Sequence, residues 1–133
     1  MPRTFTFSFT HLRVWQDSHR FAVKVAEMAD SLPLDERFCL ASQLRRASLS
    51  VPNNIAEGHS LWGTPSYLRH VRIALGSLGE TASQLMFAGA RAYFDAEVVQ
   101  ELLSEAGSIH RQMQALIQSL QKQPTQTRKV DSP

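Results

Sequence analysis

A single cysteine, Cys39, leaves the chain with no internal disulfide, so a reducing cytoplasm is the expected location. No uninterrupted apolar run approaches the ~18 residues of a membrane span. The opening Met1-Pro2-Arg3-Thr4-Phe5 lacks the apolar block and cleavage site of a secretory signal. Charge of one sign is also scarce. Fourteen Lys and Arg stand against 12 Asp and Glu, a net charge of +2, which permits a nucleic-acid partner without requiring one. There is no Glu-x-x-His pair, the signature of a di-iron site inside a bundle. None of His11, His19, His59, His70 and His110 has a metal-ligand companion three or four residues away, so no metal is expected. Gly58, Gly63, Gly76 and Gly79 do not make a phosphate loop. Cys39 has no histidine near it in sequence, and a packed, inert thiol is its default reading. From these absences no cofactor is expected, and the chain is not expected to be an enzyme.

What is present is helix. The 133 residues suffice for one domain, 43% of them are hydrophobic, and little of the chain alternates as a strand does. The expected fold is all-α: an antiparallel, up-down-up-down four-helix bundle over 11–123. The first helix is predicted from about His11, with Thr10 as N-cap, to Leu32. Trp15, Ser18, Ala22, Val25, Ala29 and Leu32 would form its inner face. Pro33 stops it. The second opens at Leu34-Asp35-Glu36 and buries Leu40, Leu44, Ala47, Val51 and Ile55, with a kink at Pro52. Thr64-Pro65 offers a capping hydroxyl and a proline for the start of the third. Leu68, Val71, Leu75, Leu78, Ala82, Leu85 and Gly89 give that helix its stripe. Asp95 caps the fourth, and Val99, Leu102, Ala106, Ile109, Met113, Leu116 and Leu120 keep the regular spacing of shallow packing, about 20°. Short connections make successive helices antiparallel neighbours.

Both ends fall outside the bundle. In the arm, residues 1–10, Phe5, Phe7 and Phe9 alternate like a strand; the arm is either floppy or docked on a neighbouring subunit. Residues 124–133 are polar and proline-flanked, and are predicted to be disordered.

Polar residues inside the helices follow helical spacing too. Arg46, Ser50, Asn53 or Asn54, and Glu57 line one row of the second helix; Ser77, Glu80 and Gln84 line the third. Antiparallel neighbours would bring the rows face to face as a structural network of Arg46, Ser50, Asn54, Glu57, Ser77 and Glu80. Glu57 and Glu80 could imitate a paired-carboxylate site, but the expectation is that Glu57 is partly buried and pairs with Arg46 or a group near Ser77. Gly76, Ser77 and Gly79 would let another backbone come close, which would offset the helical cost of glycine.

The strings Gln43-Leu44-Arg45-Arg46-Ala47 and Ser50-Val51-Pro52-Asn53-Asn54-Ile55-Ala56-Glu57-Gly58 closely resemble a bacterial four-helix-bundle family. Its members include proteins encoded in intervening sequences of 23S ribosomal RNA genes, and the accessory variability proteins of diversity-generating retroelements are similar. Leu12, Trp15, Pro33, Glu36 and Leu40 extend the match upstream. Tyr67-Leu68, Ile73-Ala74-Leu75-Gly76-Ser77-Leu78, Glu80 and Gln84-Leu85 extend it downstream, to about residues 12–120 in all. The resemblance implies a homopentamer around a central channel, with no established enzymatic activity. It also implies, from the retroelement relatives, contact with nucleic acid and a reverse transcriptase through a basic surface. The chain departs where relatives often carry a basic residue after Glu-Gly: it reads His59-Ser60-Leu61-Trp62.

Two functions compete. One is an oligomeric, non-enzymatic scaffold that binds RNA, DNA or a nucleic-acid enzyme through Arg13, Arg20, Lys24, Arg45, Arg46, Arg69 and Arg72. Asp17, Glu27 and Asp30 dilute that stripe, and interleaved aromatics are missing from it. The other is a protein-only adaptor that uses Leu61, Trp62 and the phenylalanine arm. Phe21 and Met28, seven apart, suggest a second apolar stripe on the first helix, available for self-association.

Overall fold

The computed structural model of the chain describes residues 4–61 and 63–123. Four α-helices follow in order: α1 Arg13–Asp30, α2 Leu40–Ser60, α3 Thr64–Ala90 and α4 Ala96–Lys122. Tight 3-10 turns at Ser8–His11 and Leu34–Glu36 precede α1 and α2. The helices form a four-helix bundle, and paired residues climb one helix while descending its neighbour. Asn54 with His70, Ser50 with Ser77 and Arg46 with Glu80 join α2 to α3 in this sense. Asp17 with Gln112 and Lys24 with Glu105 do the same for α1 and α4. Gly89 beside Val99, and Thr64 bonded to Gln123, do so for α3 and α4. Helix α2 runs unbroken through Pro52.

The helix ends depart from expectation for identifiable reasons. Thr10 does not cap α1, because its hydroxyl donates to the Phe7 carbonyl at 2.7 Å inside the preceding turn. The helix therefore starts at Arg13, from an extended Leu12, and it ends at Asp30 instead of Leu32. Leu34-Asp35-Glu36 is a separate turn and not the start of α2. Three-residue bonds, Glu36 N–H to Pro33 and Cys39 N–H to Glu36, close it before the longer helical bonds begin. At the head of α3 the cap position belongs to Gly63, whose φ of 109° suits glycine alone. The Thr64 hydroxyl instead donates to Gln123 Oε1 at 3.2 Å. Asp95 takes the N-cap position of α4 with an extended backbone but makes no side-chain cap.

Inside, α2 and α4 bury the residues expected of them, except that Leu116 is half-buried. On α3 the buried line is Val71, Ala74, Leu78, Thr81, Leu85 and Ala88, rotated by about one position; Leu68, Leu75, Ala82 and Gly89 are only half-buried. On α1, Phe21 is 1% exposed and belongs to the core, so it is no part of an outer stripe. Met28 packs half-buried against that core. The buried hydroxyls of Ser18, Ser48 and Thr81 each donate to the carbonyl four residues back, which satisfies them without a partner helix. The predicted tail at 124–133 and Trp62 lie outside the described residues.

Candidate functional site

The polar rows meet across the α2–α3 seam. Asn54 Nδ2 donates to the carbonyl and the hydroxyl of Ser50, both at 2.9 Å. Ser77 Oγ donates to the same Ser50 hydroxyl at 2.9 Å. Since the amide nitrogen is engaged there, Asn54 Oδ1 is the acceptor for His70 Nδ1 at 3.0 Å, and Nδ1 carries the proton in this arrangement. His70 Nε2 is then the ring atom left facing Glu57 Oε1, at 3.8 Å. Arg46 pairs with Glu80, and Gln84 Nε2 donates to Glu80 Oε2 at 3.3 Å. The rows thus meet as two separate groups, Arg46–Glu80–Gln84 and Asn54–Ser50–Ser77, and His70, which sequence spacing did not reveal, joins the second.

Glu57 is the correction. Its side chain is 63% exposed, and it pairs with neither Arg46 nor Ser77. Arg46 lies eleven residues earlier, about 16 Å along the helix, beside Glu80. That separation also keeps Glu57 and Glu80 apart, so no paired-carboxylate site is assembled. Next to Glu57, the backbones of α2 and α3 come very close. A Cβ at Gly58 would stand 2.7 Å from His70 Cβ and 3.1 Å from Tyr67 Cδ1. Half-burial against this contact pushes the Tyr67 phenol above its ordinary value.

The seven cations chosen from sequence do not form one free stripe. Arg13 and Arg20 share Asp17, at 3.6 and 3.3 Å. Lys24 pairs with Glu105, Arg45 with Asp30, and Arg46 with Glu80. Arg69 and Arg72, exposed on the outer face of α3, make no ion pair among the described residues. Farther along that face, a Cβ at Gly76 or Gly79 would meet nothing within 4 Å. Close packing within the chain therefore does not explain these glycines, each of which costs the helix about 1 kcal/mol relative to alanine.

The described part of the arm, residues 4–10, is neither a strand nor detached; residues 1–3 lie outside the described residues. Its rings form a ladder down onto α1: Phe5 to Phe7 at 5.0 Å, Phe7 to Phe9 at 5.6 Å, Phe9 to Trp15 at 5.1 Å and Trp15 to His19 at 4.7 Å. The backbone beneath is tied by Leu12 N–H to the Phe9 carbonyl at 3.0 Å and Gln16 Nε2 to the Thr10 carbonyl at 2.8 Å. Phe5 is nevertheless 77% exposed. Leu34, Phe38, Leu49, Ile73, Met86 and Phe87 are exposed elsewhere. Cys39 is exposed too, and not packed as its default reading had it. Between α1 and α4, Lys24, Glu27, Met28, Ser31, Val98, Glu101, Leu102 and Glu105 line a groove of about 350 Å³. No group of three or more metal-ligating side chains occurs among the described residues, and no described helix is long and apolar enough to cross a membrane.

Compared with known proteins, residues 10–115 match the family model described as 23S rRNA-intervening sequence protein. The fold is similar to the crystal structure of a protein of unknown function from the S23 ribosomal protein family of Bacteroides thetaiotaomicron. The TM-score is 0.74 at 22% identity, over 79% of this chain and 95% of that one. No curated protein gives a significant match.

Proposed function

We propose that this chain, which belongs to the 23S rRNA-intervening sequence protein family, is a non-enzymatic, self-assembling binding or scaffold protein. The observation that carries the reading is the apolar surface left open on the outer faces of α2 and α3, where Leu49, Ile73, Met86 and Phe87 are exposed around two uncovered helix glycines. Burying such side chains is worth about 1.5–3 kcal/mol each, and large contiguous apolar patches mark interaction surfaces. The assembly is a homo-oligomer, a pentamer on the family resemblance, and its site of action is the cytoplasm. Light scattering tests the claim: a mass near five chains at micromolar concentration is expected, and a single-chain mass at that concentration overturns it.

The partner is RNA, DNA or a nucleic-acid-handling protein. Two guanidiniums over the one Asp17 carboxylate leave a positive charge at Arg13 and Arg20 that a phosphate can take up. The protein-only adaptor is the second reading. It is favoured by the in-chain ion pairs that engage five of the seven chosen cations. Salt separates the two readings, because phosphate contacts weaken steeply from 50 to 200 mM salt while apolar contacts persist. Loss of a captured partner on nuclease treatment supports the first reading; nuclease-resistant, salt-resistant capture supports the second.

A further inference from the structure

We propose that copies of this chain join head to tail, with the outer face of α3 on one copy seated over the α1–α4 groove of the next. The inference rests on the self-assembly reading above and names the two surfaces that would meet. Arg69 and Arg72 are exposed, and no carboxylate of the described chain neutralises them. Glu27 and Glu101 are the reverse case. Both are exposed at the rim of the groove, and neither has an ion-pair partner among the described residues. The floor between them is apolar, made by Met28, Val98 and Leu102. The α3 face supplies its own apolar part in Ile73, and Gly76 and Gly79 leave room for close approach. The two surfaces are complementary in charge and both carry apolar area.

These surfaces lie on different helices of the bundle, and each is used once per copy. A contact between two unlike patches is heterologous, so it propagates from copy to copy and closes as a ring when the rotation allows. A two-fold dimer built on the α3 face alone would instead set arginine against arginine, and one built on the groove alone glutamate against glutamate, and the observed charges disfavour both.

A charge swap tests the proposal. R69E/R72E makes both surfaces acidic, and E27K/E101K makes both basic. All four positions are exposed, so circular dichroism is expected to show the wild-type fold in each variant. Light scattering should give single-chain mass for each double variant and the wild-type mass for the quadruple variant, in which the charges are exchanged. Wild-type assembly should also weaken as salt is raised. Double variants that keep the wild-type mass would overturn the proposal, as would a folded quadruple variant that stays a monomer. A wild-type chain that is itself monomeric defeats the self-assembly reading instead, so the two failures are told apart.

Discussion

Two seams of the bundle, α2–α3 and α1–α4, are built differently. Along α2–α3 the helices approach until only glycine fits at position 58, and the interval is filled by Val51, Ile55, Val71 and Ala74 with the bonds of Ser50, Asn54, Ser77 and His70 beside them. Along α1–α4 the helices are held by longer side chains, Lys24 to Glu105 and Gln112 to Asp17. Two hollows remain there, one of about 190 Å³ over Phe21 and Ile109 and one of about 350 Å³ over Met28 and Leu102. A close-packed interface loses energy with every atom removed or added, whereas exposed ion pairs across a groove contribute little to stability. Of the motif Ser50 to Gly58, Ser50, Asn54 and Gly58 face the tight seam, while Asn53 and Glu57 are exposed. That part of the motif packs two helices together, whereas the α1–α4 groove stays open.

Truncation at the tight seam should have the largest effect. Ile55 is fully buried, and Ile55→Ala should cost about 2–5 kcal/mol in urea unfolding, with an unchanged slope. Lys24→Ala, at the open seam, should cost under ~1 kcal/mol. Comparable losses at the two sites would abolish the distinction.

Two glycine substitutions sharpen it further, with opposite signs. Gly58→Ala forces a Cβ into His70 and Tyr67, and helix backbones cannot yield as a flexible side chain can, so a loss of about 1–3 kcal/mol is expected. Gly76→Ala meets nothing and should stabilise the chain by up to about 1 kcal/mol. The comparison is best made in the R69E/R72E background, where assembly would not mask the gain. Next comes Asn54→Ala, which leaves the His70 Nδ1–H without its acceptor in a nearly buried site. A loss of about 1–3 kcal/mol in melting or urea unfolding is expected, and a wild-type curve would remove Asn54 from the network.

Much of this was legible in the sequence where side chains are large and evenly spaced. Helices α2 and α4 show Leu, Ile, Val and Met at regular intervals, and those positions are buried, Leu116 alone only half so. On α3 the rule holds for Val71, Leu78 and Leu85, but Ala74, Thr81 and Ala88 are buried beside them, while Leu68 and Leu75 sit at the margins. Hydropathy favours the bulkier residue, but tight packing selects the smaller. Phe21 was misjudged on α1 because its neighbours fill only part of the buried arc. His70 could not be found by spacing, since its acceptor, Asn54, is on another helix. The aromatic ladder was invisible for the same reason: alternation suggested a strand, and only the turn at Ser8–His11 brings Phe9 onto Trp15.

The smallest expected effect belongs to Glu57, and it separates packing from function. The residue sits in the motif beside Gly58, so its place in sequence suggests importance. Its side chain is mostly in water, and its nearest partner is His70 Nε2 at 3.8 Å, beyond direct hydrogen-bond length. A weak contact of this kind is screened by solvent, and removing it strands no buried charge. Glu57→Ala should therefore shift unfolding by well under ~1 kcal/mol, less than Asn54→Ala three residues earlier, and Glu57→Gln should be indistinguishable from wild type. A loss of several kcal/mol would mean that Glu57 is sealed against a neighbour, as at an interface between copies; light scattering of the same variant would then show reduced mass. If Glu57→Ala melts and assembles like wild type but no longer captures its partner, the carboxylate belongs to the binding surface, and the tight seam serves to present it.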